Sequence, residues 1–408
     1  MISVSQALRI VKRETGTLPS ETVILSRALG RVLAENIAAD SDMPPFDRSQ
    51  MDGYAVRSND VKNAPVLLTI VGEAAAGRGW HEKLKPGQAV RIMTGAPVPS
   101  GADSVQKIEL ASESNETVRI QEPVQRGKYI VKKGAEIRKG TILFRSGQIV
   151  DEKMIASLAA FGYARVKVGQ RPSVSILSTG SEIVGIEKQP GRDQIRNSNS
   201  VMLKALCEHA GASVKILRQT GDDLEKLKGV ISKAARHGGE KSKIQTPKSK
   251  ILIMTGGVSV GKYDLTKAAL KDLGAEFFFE KLRLKPGKPT VFARLDNSLV
   301  FGLPGNPVSA AVTFYLFVRT AILQMQNASE TGLPSGHAVL ESPAKAAAER
   351  DTYLPATLAT DSEGKLVATP LRWHGSSDFV GFANADALVS LARGSASKAG
   401  DVVKILYL

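Results

Sequence analysis

Four short polar segments in the second half of the chain hold the residue types best suited to chemistry. They are STGSE over 178–182, TGGVSVGKYD over 255–264, LKPGKP over 284–289 and LPGNP over 303–307. Each comes after an apolar run that is typical of a buried strand. Glycine lets a backbone approach an anion closely, and successive N–H groups near a helix start bind phosphate. Together the segments predict an anion-binding site on one rim of a sheet.

The segment 255–264 has the G-x-x-x-x-G-K spacing of an ATPase phosphate loop, which ends here at Lys262. Such a loop needs Ser or Thr at the next position as a magnesium ligand, and this chain has Tyr263. The residue types therefore argue against an ATPase. Asp264 is either the N-cap of the following helix or a magnesium ligand beside a phosphate group, and we favour the ligand.

The segment 284–289 places Lys285 and Lys288 on a turn that two prolines and a glycine make rigid, and Lys281 comes shortly before it. Exposed lysines are usually only solvated. A proline-fixed turn at a strand end makes phosphate binding the better interpretation. The segment 303–307 is either a plain turn before a long helix or part of the same site, and both interpretations stay open.

Two segments in the first half are richer in Asp, Thr, Gly and Pro than simple turns require. They are PPFDRSQMDGYA over 44–55 and RIMTGAPVPSGAD over 91–103. We expect rigid loops that offer carboxylates and hydroxyls, although the spacing alone names no reaction.

The elements that must position these segments form a multidomain α/β plus β protein. From 172 to about 326, strands and helices alternate, which predicts a doubly wound, mostly parallel sheet that binds ligands at the carboxyl ends of its strands. We expect strands at 173–177, 213–217, 251–254, 275–279, 290–293 and 299–301, and helices at 200–209, 223–235, 265–273 and from 308.

The first half combines helical pieces with an inserted β-rich domain. Ser3 and Gln6 resemble a capping box for an opening helix, and a second helix over 151–161 is expected to pack against it. Short apolar runs lie between them, and a β domain ends the chain with a run over 402–407. The predicted domains are a small helical/linker domain (1–43 plus 145–169), the inserted β-rich domain (44–144), the α/β domain (170–326) and the C-terminal β domain (327–408).

Composition narrows the classes of protein. A chain of 408 residues with 42% hydrophobic and 23% charged residues has enough apolar surface for two to four cored domains. The single cysteine, Cys207, cannot form an internal disulfide, and five scattered histidines lack zinc-ligand spacing. The amino terminus has no signal-peptide pattern, so a cytoplasmic protein is expected. The apolar stretch 308–325 includes Arg319 and Gln324, which favours a buried helix over a membrane span.

The net charge of +15 is compatible with nucleic acid, an anionic membrane surface or a small polyanionic substrate. Aromatic residues are only 5% and do not alternate with basic ones, so we expect no specific nucleic acid and no membrane partner. Much of the charge is typical of a solvated surface. The lysine-rich segment 237–250 is predicted to be a surface loop without assigned chemistry.

Taken in order, PPFDRSQMDGYA, IMTGAPVPSGAD, STGSE, GGVSVGKYD, KPGKP and LPGNP resemble the molybdopterin molybdenumtransferases, which include bacterial MoeA and the E domain of gephyrin. The similarity runs over essentially the whole chain. It implies an elongated four-domain homodimer whose α/β domain has a molybdopterin-binding-like fold and forms its cleft with the other subunit's β-rich domain. The implied reaction takes adenylyl-molybdopterin and molybdate, uses Mg²⁺ to hydrolyse the pyrophosphate link, releases AMP and leaves molybdenum on the dithiolene.

Matched position by position, the resemblance implies roles for individual residues. Those implied as catalytic are Asp52, Thr94, Glu182, Asp222, Asp264 and Lys285, of which Glu182, Asp222 and Asp264 are implied magnesium ligands. Those implied in substrate binding are Gly256, Gly257, Ser259, Gly261, Lys281, Lys288, Pro304, Pro307, Arg350 and Ser376.

The chain also departs from the family's pattern. Glu136 stands where relatives usually carry Asp, and Arg48 and Gln50 replace the commoner Asn and Ala near Asp52. Two alternatives stay open: a molybdopterin adenylyltransferase, whose fold resembles the α/β domain, and a non-catalytic scaffold of the same fold. The adenylyltransferase is also a candidate partner. Neither the preference for molybdate over tungstate nor the carboxylate that touches Mg²⁺ follows from the sequence.

Overall fold

The computed structural model describes residues 1–221, 223–235, 250–256, 265–371 and 375–408. The chain divides into two compact units. We call Met1–Glu35, Ser146–Ala156 and Ala164–Leu408 the main unit, and Asn36–Arg145 and Ser157–Tyr163 the inserted unit. The predicted fold class is confirmed, since a doubly wound α/β domain and a C-terminal β domain lie in the main unit and a β-rich sheet lies in the insertion. The exact four-domain boundaries stay a prediction.

The α/β domain is built on a six-stranded sheet. In spatial order its strands are Ser213–Ile216, Ser173–Ser178, Ile251–Thr255, Ser298–Leu303, Val291–Leu295 and Glu276–Phe279. The first four are mutually parallel, Val291–Leu295 is antiparallel to Ser298–Leu303, and Glu276–Phe279 is antiparallel to Val291–Leu295 and therefore runs in the direction of the first four. The helices around it are Ser198–His209, Leu224–Ala235, Leu265–Asp272 and the long Pro307–Met325.

Successive residues of the central strands enter different cores. Ile176 and Ile253 belong to one apolar cluster, whereas Leu177 and Met254 belong to the other. Alternation along a strand sends neighbouring side chains to opposite faces. Fully buried apolar runs therefore form strands covered by helices on both sides, as the sequence pattern predicts.

The register of the parallel strands determines where their loops begin. Ser178 pairs with Thr255, and Thr255 pairs with Leu303. These three residues are the last of their strands. The loops that follow them therefore start side by side at the carboxyl edge of the sheet.

The opening helix, Val4–Glu14, has the predicted capping box at Ser3 and Gln6. Its buried residues Val4, Ala7 and Val11 lie in the core of the α/β sheet. The expectation that this helix packs on the helix over 151–161 is therefore wrong. An amphipathic pattern shows which face of a helix is apolar but not which surface covers it.

The second helix of the first half spans Glu152–Ala160. Asp151 acts as the N-cap of this helix, because its carboxylate accepts a hydrogen bond from the Met154 N–H at 2.7 Å. Gly162 follows with a φ of +75°, as expected of a helix stop.

The long helix confirms the interpretation of 308–325 as a buried helix. It is long and apolar enough to cross a membrane, but 83% of its most apolar 18-residue stretch is buried within the protein. A π-helical turn at Phe314–Val318 separates Pro307–Thr313 from Arg319–Met325.

In the C-terminal β domain, five strands close into a ring. In ring order they are Asp351–Thr360, Leu366–Pro370, Ser335–Leu340, Val402–Tyr407 and Ala387–Leu391, which pairs again with the first. The short strand Leu284–Lys285 adds to the edge of Asp351–Thr360 in parallel. Ala344–Lys345 pairs with Ala396–Ser397, and a short helix spans Phe379–Phe382.

The inserted unit contains a second six-stranded sheet. Its strands, in spatial order, are Ser104–Lys107, Gly53–Val56, Gln88–Ile92, Val66–Ala74, Thr117–Ile120 and Ala111–Ser114. Short strand pairs complete the two units: Arg48–Ser49 with Ile130–Val131, Ile37–Ala38 with Ile142–Phe144, Ser20–Ile24 with Arg165–Gly169, and Ile183–Val184 with Ile195–Arg196. Three 3₁₀ turns lie at Leu25–Arg27, Ser58–Val61 and Ile108–Leu110.

Candidate functional site

The loops at the carboxyl edge of the parallel sheet surround a cavity of about 540 Å³, which we call the basic cavity. Its lining includes Glu182, Gly256, Lys285, Pro286, Gly287, Lys288, Pro289, Pro304, Gly305, Asn306, Ser309, Arg350, Gly375 and Ser376. All four polar segments of the second half contribute to this lining. The predicted convergence of these segments on one rim is therefore confirmed for the described residues.

The turn that carries Lys285 and Lys288 is held by packing beneath it. Gly287 has a φ of +114°, and a Cβ at this position would lie 2.6 Å from Thr313 Cγ2. The Gly287 carbonyl accepts a hydrogen bond from the buried Thr290 hydroxyl at 2.6 Å. Only glycine fits this backbone without strain, so both lysines are presented from a fixed loop.

Arg350 reaches the same cavity because of a strand pairing between distant segments. Leu284 pairs with Asp351, and Lys285 pairs with Thr352, in a short parallel ladder. Arg350 comes directly before this ladder, so it lies beside the basic turn.

The basic cavity has an excess of positive charge. Lys285, Lys288 and Arg350 line it, and Glu182 is the acidic residue in the lining. Within the part of the chain that the structure describes, none of the three cations forms an ion pair. Cationic side chains without carboxylate partners in a concave surface favour binding of an oxyanion.

The segment 303–307 both begins a helix and lines the basic cavity, so neither of its two interpretations excludes the other. Pro307 is the first residue of the long helix. The Asn306 side chain does not cap that helix and instead donates a hydrogen bond to the Ser376 hydroxyl at 2.6 Å. The Ser376 carbonyl accepts from the Val308 N–H at 3.1 Å. These bonds attach Ser376 to the α/β domain.

A neighbouring cavity of about 660 Å³ shares Glu182, Gly256, Gly305 and Asn306 with the basic cavity. It is also lined by Thr179, Asn197, Ser198, Asn199, Thr255 and Pro307. Among the described residues, Thr179 Oγ1 and Asn199 Oδ1 are buried without a hydrogen-bond partner. Unpaired buried polar atoms are costly, and these two belong to residues that line the neighbouring cavity.

Gly256 forms the junction between the two cavities. Its φ is +91°, and a Cβ at this position would lie 2.5 Å from the Thr179 carbonyl oxygen. The backbones of two adjacent loops therefore approach each other closely where only glycine allows it.

In the inserted unit, Asp52 and Thr94 contact each other. The Asp52 carboxylate accepts a hydrogen bond from the Thr94 N–H at 2.7 Å. The strands Gly53–Val56 and Gln88–Ile92 are antiparallel neighbours, which brings the two residues together. Both side chains are exposed, so the carboxylate is accessible to a ligand.

Two of the three departures from the family's pattern form a pair. Arg48 Nη2 lies 2.9 Å from Glu136 Oε1. The longer acidic side chain at 136 therefore has a cationic partner in this chain. The third departure, Gln50, donates its N–H to the Tyr129 carbonyl at 2.9 Å.

A polar cluster stabilises the sheet that carries Asp52. The Tyr54 hydroxyl donates to Glu113, which also pairs with Arg91, and Arg91 reaches Glu73 at 3.1 Å. Burial and the hydrogen bond to Glu113 raise the pKa of Tyr54. The hydrogen bond from Tyr54, together with Arg91, lowers the pKa of Glu113.

The other predicted site residues fall into two groups. Lys281 is exposed outside the lining of the basic cavity, and Pro307 lines the neighbouring cavity but not the basic one. Asp222, Gly257, Ser259, Gly261 and Asp264 lie outside the described residues. Of the three predicted magnesium ligands, only Glu182 is described, and the described residues contain no cluster of three His, Cys, Asp or Glu side chains placed to hold a metal.

Sequence reasoning missed Asn199 and Asn306, whose polar side chains join the loops around the two cavities. Asn199 Nδ2 donates to Thr255 Oγ1 at 3.1 Å and to the Gly305 carbonyl at 2.7 Å. The signal that could have found Asn199 is the run NSNS over 197–200, since Asn197 is the N-cap of the helix and Asn199 lies in its first turn.

The fold and the two cavities define a multidomain protein built on a molybdopterin-binding-like α/β domain. Models of three protein families match consecutive parts of the chain. They are the MoeA N-terminal region (domain I and II) over residues 2–162, the probable molybdopterin binding domain over 175–324 and the MoeA C-terminal region (domain IV) over 337–408.

Relatives match the chain over nearly its full length. It is 35% identical over 410 residues to the molybdopterin molybdenumtransferase of Staphylococcus aureus (strain COL), which covers 99% of this chain and 95% of that protein. The corresponding Bacillus subtilis (strain 168) protein is 36% identical over 423 residues, with 100% and 94% covered. The chain belongs to the molybdopterin molybdenumtransferase family.

A solved structure of a molybdopterin biosynthesis MoeA protein from Pyrococcus horikoshii has the same architecture. It superposes with a TM-score of 0.83 at 27% identity and covers 100% of both chains.

Proposed function

We propose that the basic cavity binds molybdate and the phosphate end of adenylyl-molybdopterin, and that the chain inserts molybdenum into molybdopterin with release of AMP. The observation that carries this proposal is the set of three cations, Lys285, Lys288 and Arg350, which line one cavity without acidic partners among the described residues. Molybdate, a diphosphate and a dithiolate are all anionic. Bringing them together requires fixed positive charge.

The residues of the basic cavity would divide the work by their chemistry. Lys285 and Lys288 hold an oxyanion from the rigid turn, and Arg350 contributes planar donors from beside that turn. Ser376, oriented by Asn306, offers a hydroxyl to the same anion. The preformed geometry reduces the entropy lost when the reactants are aligned.

The donor set is compatible with Mg²⁺. Glu182 lines the basic cavity and its neighbour, and carboxylate oxygens are the ligands that Mg²⁺ prefers. We propose that Glu182, Asp222 and Asp264 hold the ion. When bound, it would polarise a phosphoryl oxygen and offset the charge that develops as the pyrophosphate link is hydrolysed.

The Asp52–Thr94 contact would complete the site in a homodimer. The Asp52 carboxylate would position the nucleophilic water or the pterin, with its orientation held by the Thr94 N–H. We propose that the dimer works in the cytoplasm and receives its substrate from the molybdopterin adenylyltransferase.

The test is a single-turnover assay with purified adenylyl-molybdopterin, Mg²⁺ and molybdate. We expect AMP release that depends on molybdate and on Mg²⁺. The amount of molybdenum bound to the pterin is then measured and should match the AMP released. Consumption of ATP with bare molybdopterin would instead identify an adenylyltransferase.

Variants separate catalysis from a scaffold role. We expect Lys285→Ala and Asp264→Asn each to slow AMP release by at least about tenfold, because each would remove charge complementary to the reacting groups. Unchanged AMP release in both variants would favour the non-catalytic scaffold. Lys83→Gln, an exposed position in the inserted unit, is the control for a simple change in net charge.

A further inference from the structure

Two lysines of the inserted unit lie against the same aromatic ring. Lys107 Nζ is 4.9 Å from the ring centroid of Tyr129, and Lys128 Nζ is 5.1 Å from it. Because both ammonium groups contact one ring, the two nitrogens are within about 10 Å of each other. The ring therefore holds two like charges in one small region.

The described residues do not neutralise these two charges. Within the described residues, neither Lys107 nor Lys128 forms an ion pair. Neighbouring cations in the same unit do have acidic partners, as Lys132 does with Asp47 at 2.7 Å. An added anion would relieve the repulsion between the two ammonium groups.

The backbone of Tyr129 is held in an uncommon conformation. Its φ is +57°, a value that bulky side chains rarely adopt. Its carbonyl accepts the Gln50 N–H at 2.9 Å, and the Lys128 carbonyl accepts the Val105 N–H at 3.1 Å. Two neighbouring segments thus hold the ring in place, and backbone strain of this kind is concentrated at functional positions.

The lysine pair adjoins the loop that contains Asp52. Lys107 is opposite Gly53 in the antiparallel register, and the Ile108 N–H donates to the Asp52 carbonyl at 3.0 Å. The three residues 107, 128 and 129 therefore lie beside the Asp52–Thr94 contact within the same unit.

We propose that Lys107, Lys128 and Tyr129 form a second anion-binding site, which takes a phosphate or diphosphate group. Each ammonium group offers three donors on a flexible stem, so two of them suit a group with several oxygens. A carboxylate would neutralise only one of the two charges, whereas near pH 7 a phosphomonoester carries about −1.5 to −2 and pyrophosphate more. The residues of this site belong entirely to the inserted unit, whereas the residues that line the basic cavity belong to the main unit.

The test is calorimetric titration of pyrophosphate, AMP and molybdate into the full chain without Mg²⁺. A Lys285→Gln/Lys288→Gln background weakens binding at the basic turn, so that the second site is observed alone. Into this background we introduce Lys107→Gln/Lys128→Gln. The charge-matched control is Lys62→Gln/Lys83→Gln, because both lysines are exposed in the same unit.

We expect the background protein to bind about one pyrophosphate per chain and Lys107→Gln/Lys128→Gln to raise its Kd at least about tenfold. The control pair should leave the Kd within about twofold, and Lys107→Arg/Lys128→Arg should retain binding. Tighter binding of pyrophosphate than of AMP would assign a diphosphate, and the reverse order a phosphomonoester. Equal Kd values for Lys107→Gln/Lys128→Gln and for the control Lys62→Gln/Lys83→Gln would overturn the proposal. So would molybdate that binds this site as tightly as pyrophosphate and AMP do. The titration involves no turnover, so its result does not depend on the proposed transfer reaction.

Discussion

Replacing Gly287 by alanine tests whether the basic turn depends on packing beneath it. The substitution places a Cβ 2.6 Å from Thr313 Cγ2 and 2.9 Å from Leu284 Cδ2. Both neighbours are buried, so neither can move away without disturbing the core. A left-handed φ costs a non-glycine residue about 1–2 kcal/mol, and overpacking a core costs about 1–3 kcal/mol more.

The expected loss of stability for Gly287→Ala is therefore about 3 kcal/mol, with the steric contribution as the larger part. In a domain of this size, that corresponds to a decrease of roughly 6–12 °C in the unfolding midpoint. If the protein instead relaxes by moving the turn, the energetic cost falls but Lys285 and Lys288 lose their positions. Molybdate affinity would then decrease.

Gly274→Ala is the matched control. Gly274 lies in the same domain with a φ of +81°, but a Cβ there would meet nothing within 4 Å. It carries the backbone cost alone, about 1–2 kcal/mol. Calorimetric unfolding and molybdate titration of both variants measure the difference. The reasoning is refuted if Gly287→Ala matches Gly274→Ala in unfolding midpoint and also binds molybdate like the wild type.

Two more predictions concern the inserted unit. Asp52→Asn keeps an oxygen that can accept a hydrogen bond from the Thr94 N–H, so we expect an unfolding midpoint within about 2 °C of wild type. AMP release should be at least about tenfold slower, because the negative charge is lost. Equal rates of AMP release would show that the charge of Asp52 is dispensable. The pKa of Glu113 is lowered in the folded protein, first of all by the hydrogen bond from Tyr54. Ionised Glu113 therefore stabilises the fold at pH values above the ordinary glutamate pKa of about 4.3. This stabilisation is lost as the pH falls through the lowered pKa of the folded state. Unfolding midpoints measured from pH 7 down to pH 3 should fall less for Glu113→Gln than for the wild type, and parallel curves would contradict this assignment.

Much of the α/β domain could be predicted because its signals are local. Alternating apolar runs and helices determine a parallel sheet, and a parallel sheet places the loops after its strands at one edge. The loops beginning after Ser178, Thr255 and Leu303 are neighbours for this reason. The sequence shows glycine at positions 256 and 287. It does not show the left-handed φ or the close contacts that require glycine there.

The opening helix shows that local sequence patterns do not predict the surface against which a helix packs. Its capping box and apolar face were readable from Ser3, Gln6 and the spacing of Val4, Ala7 and Val11. The surface that buries this face is the α/β core, which is assembled from segments far along the chain. Periodicity carries no information on that partner.

The order of the elements, the polar loops at strand ends, the excess of positive charge and the resemblance to molybdopterin molybdenumtransferases all follow from the amino-acid sequence. Tertiary structure alone decided which distant residues meet: Arg350 beside Lys285, Asp52 with Thr94, Arg48 with Glu136, and Lys107 with Lys128 on one ring. The physical reason is that each of these contacts joins segments that are not adjacent in sequence, and strand pairing brings several of them together. Strand pairing is determined by which face of a sheet is buried. A short sequence motif identifies only one of the two segments that meet in such a contact.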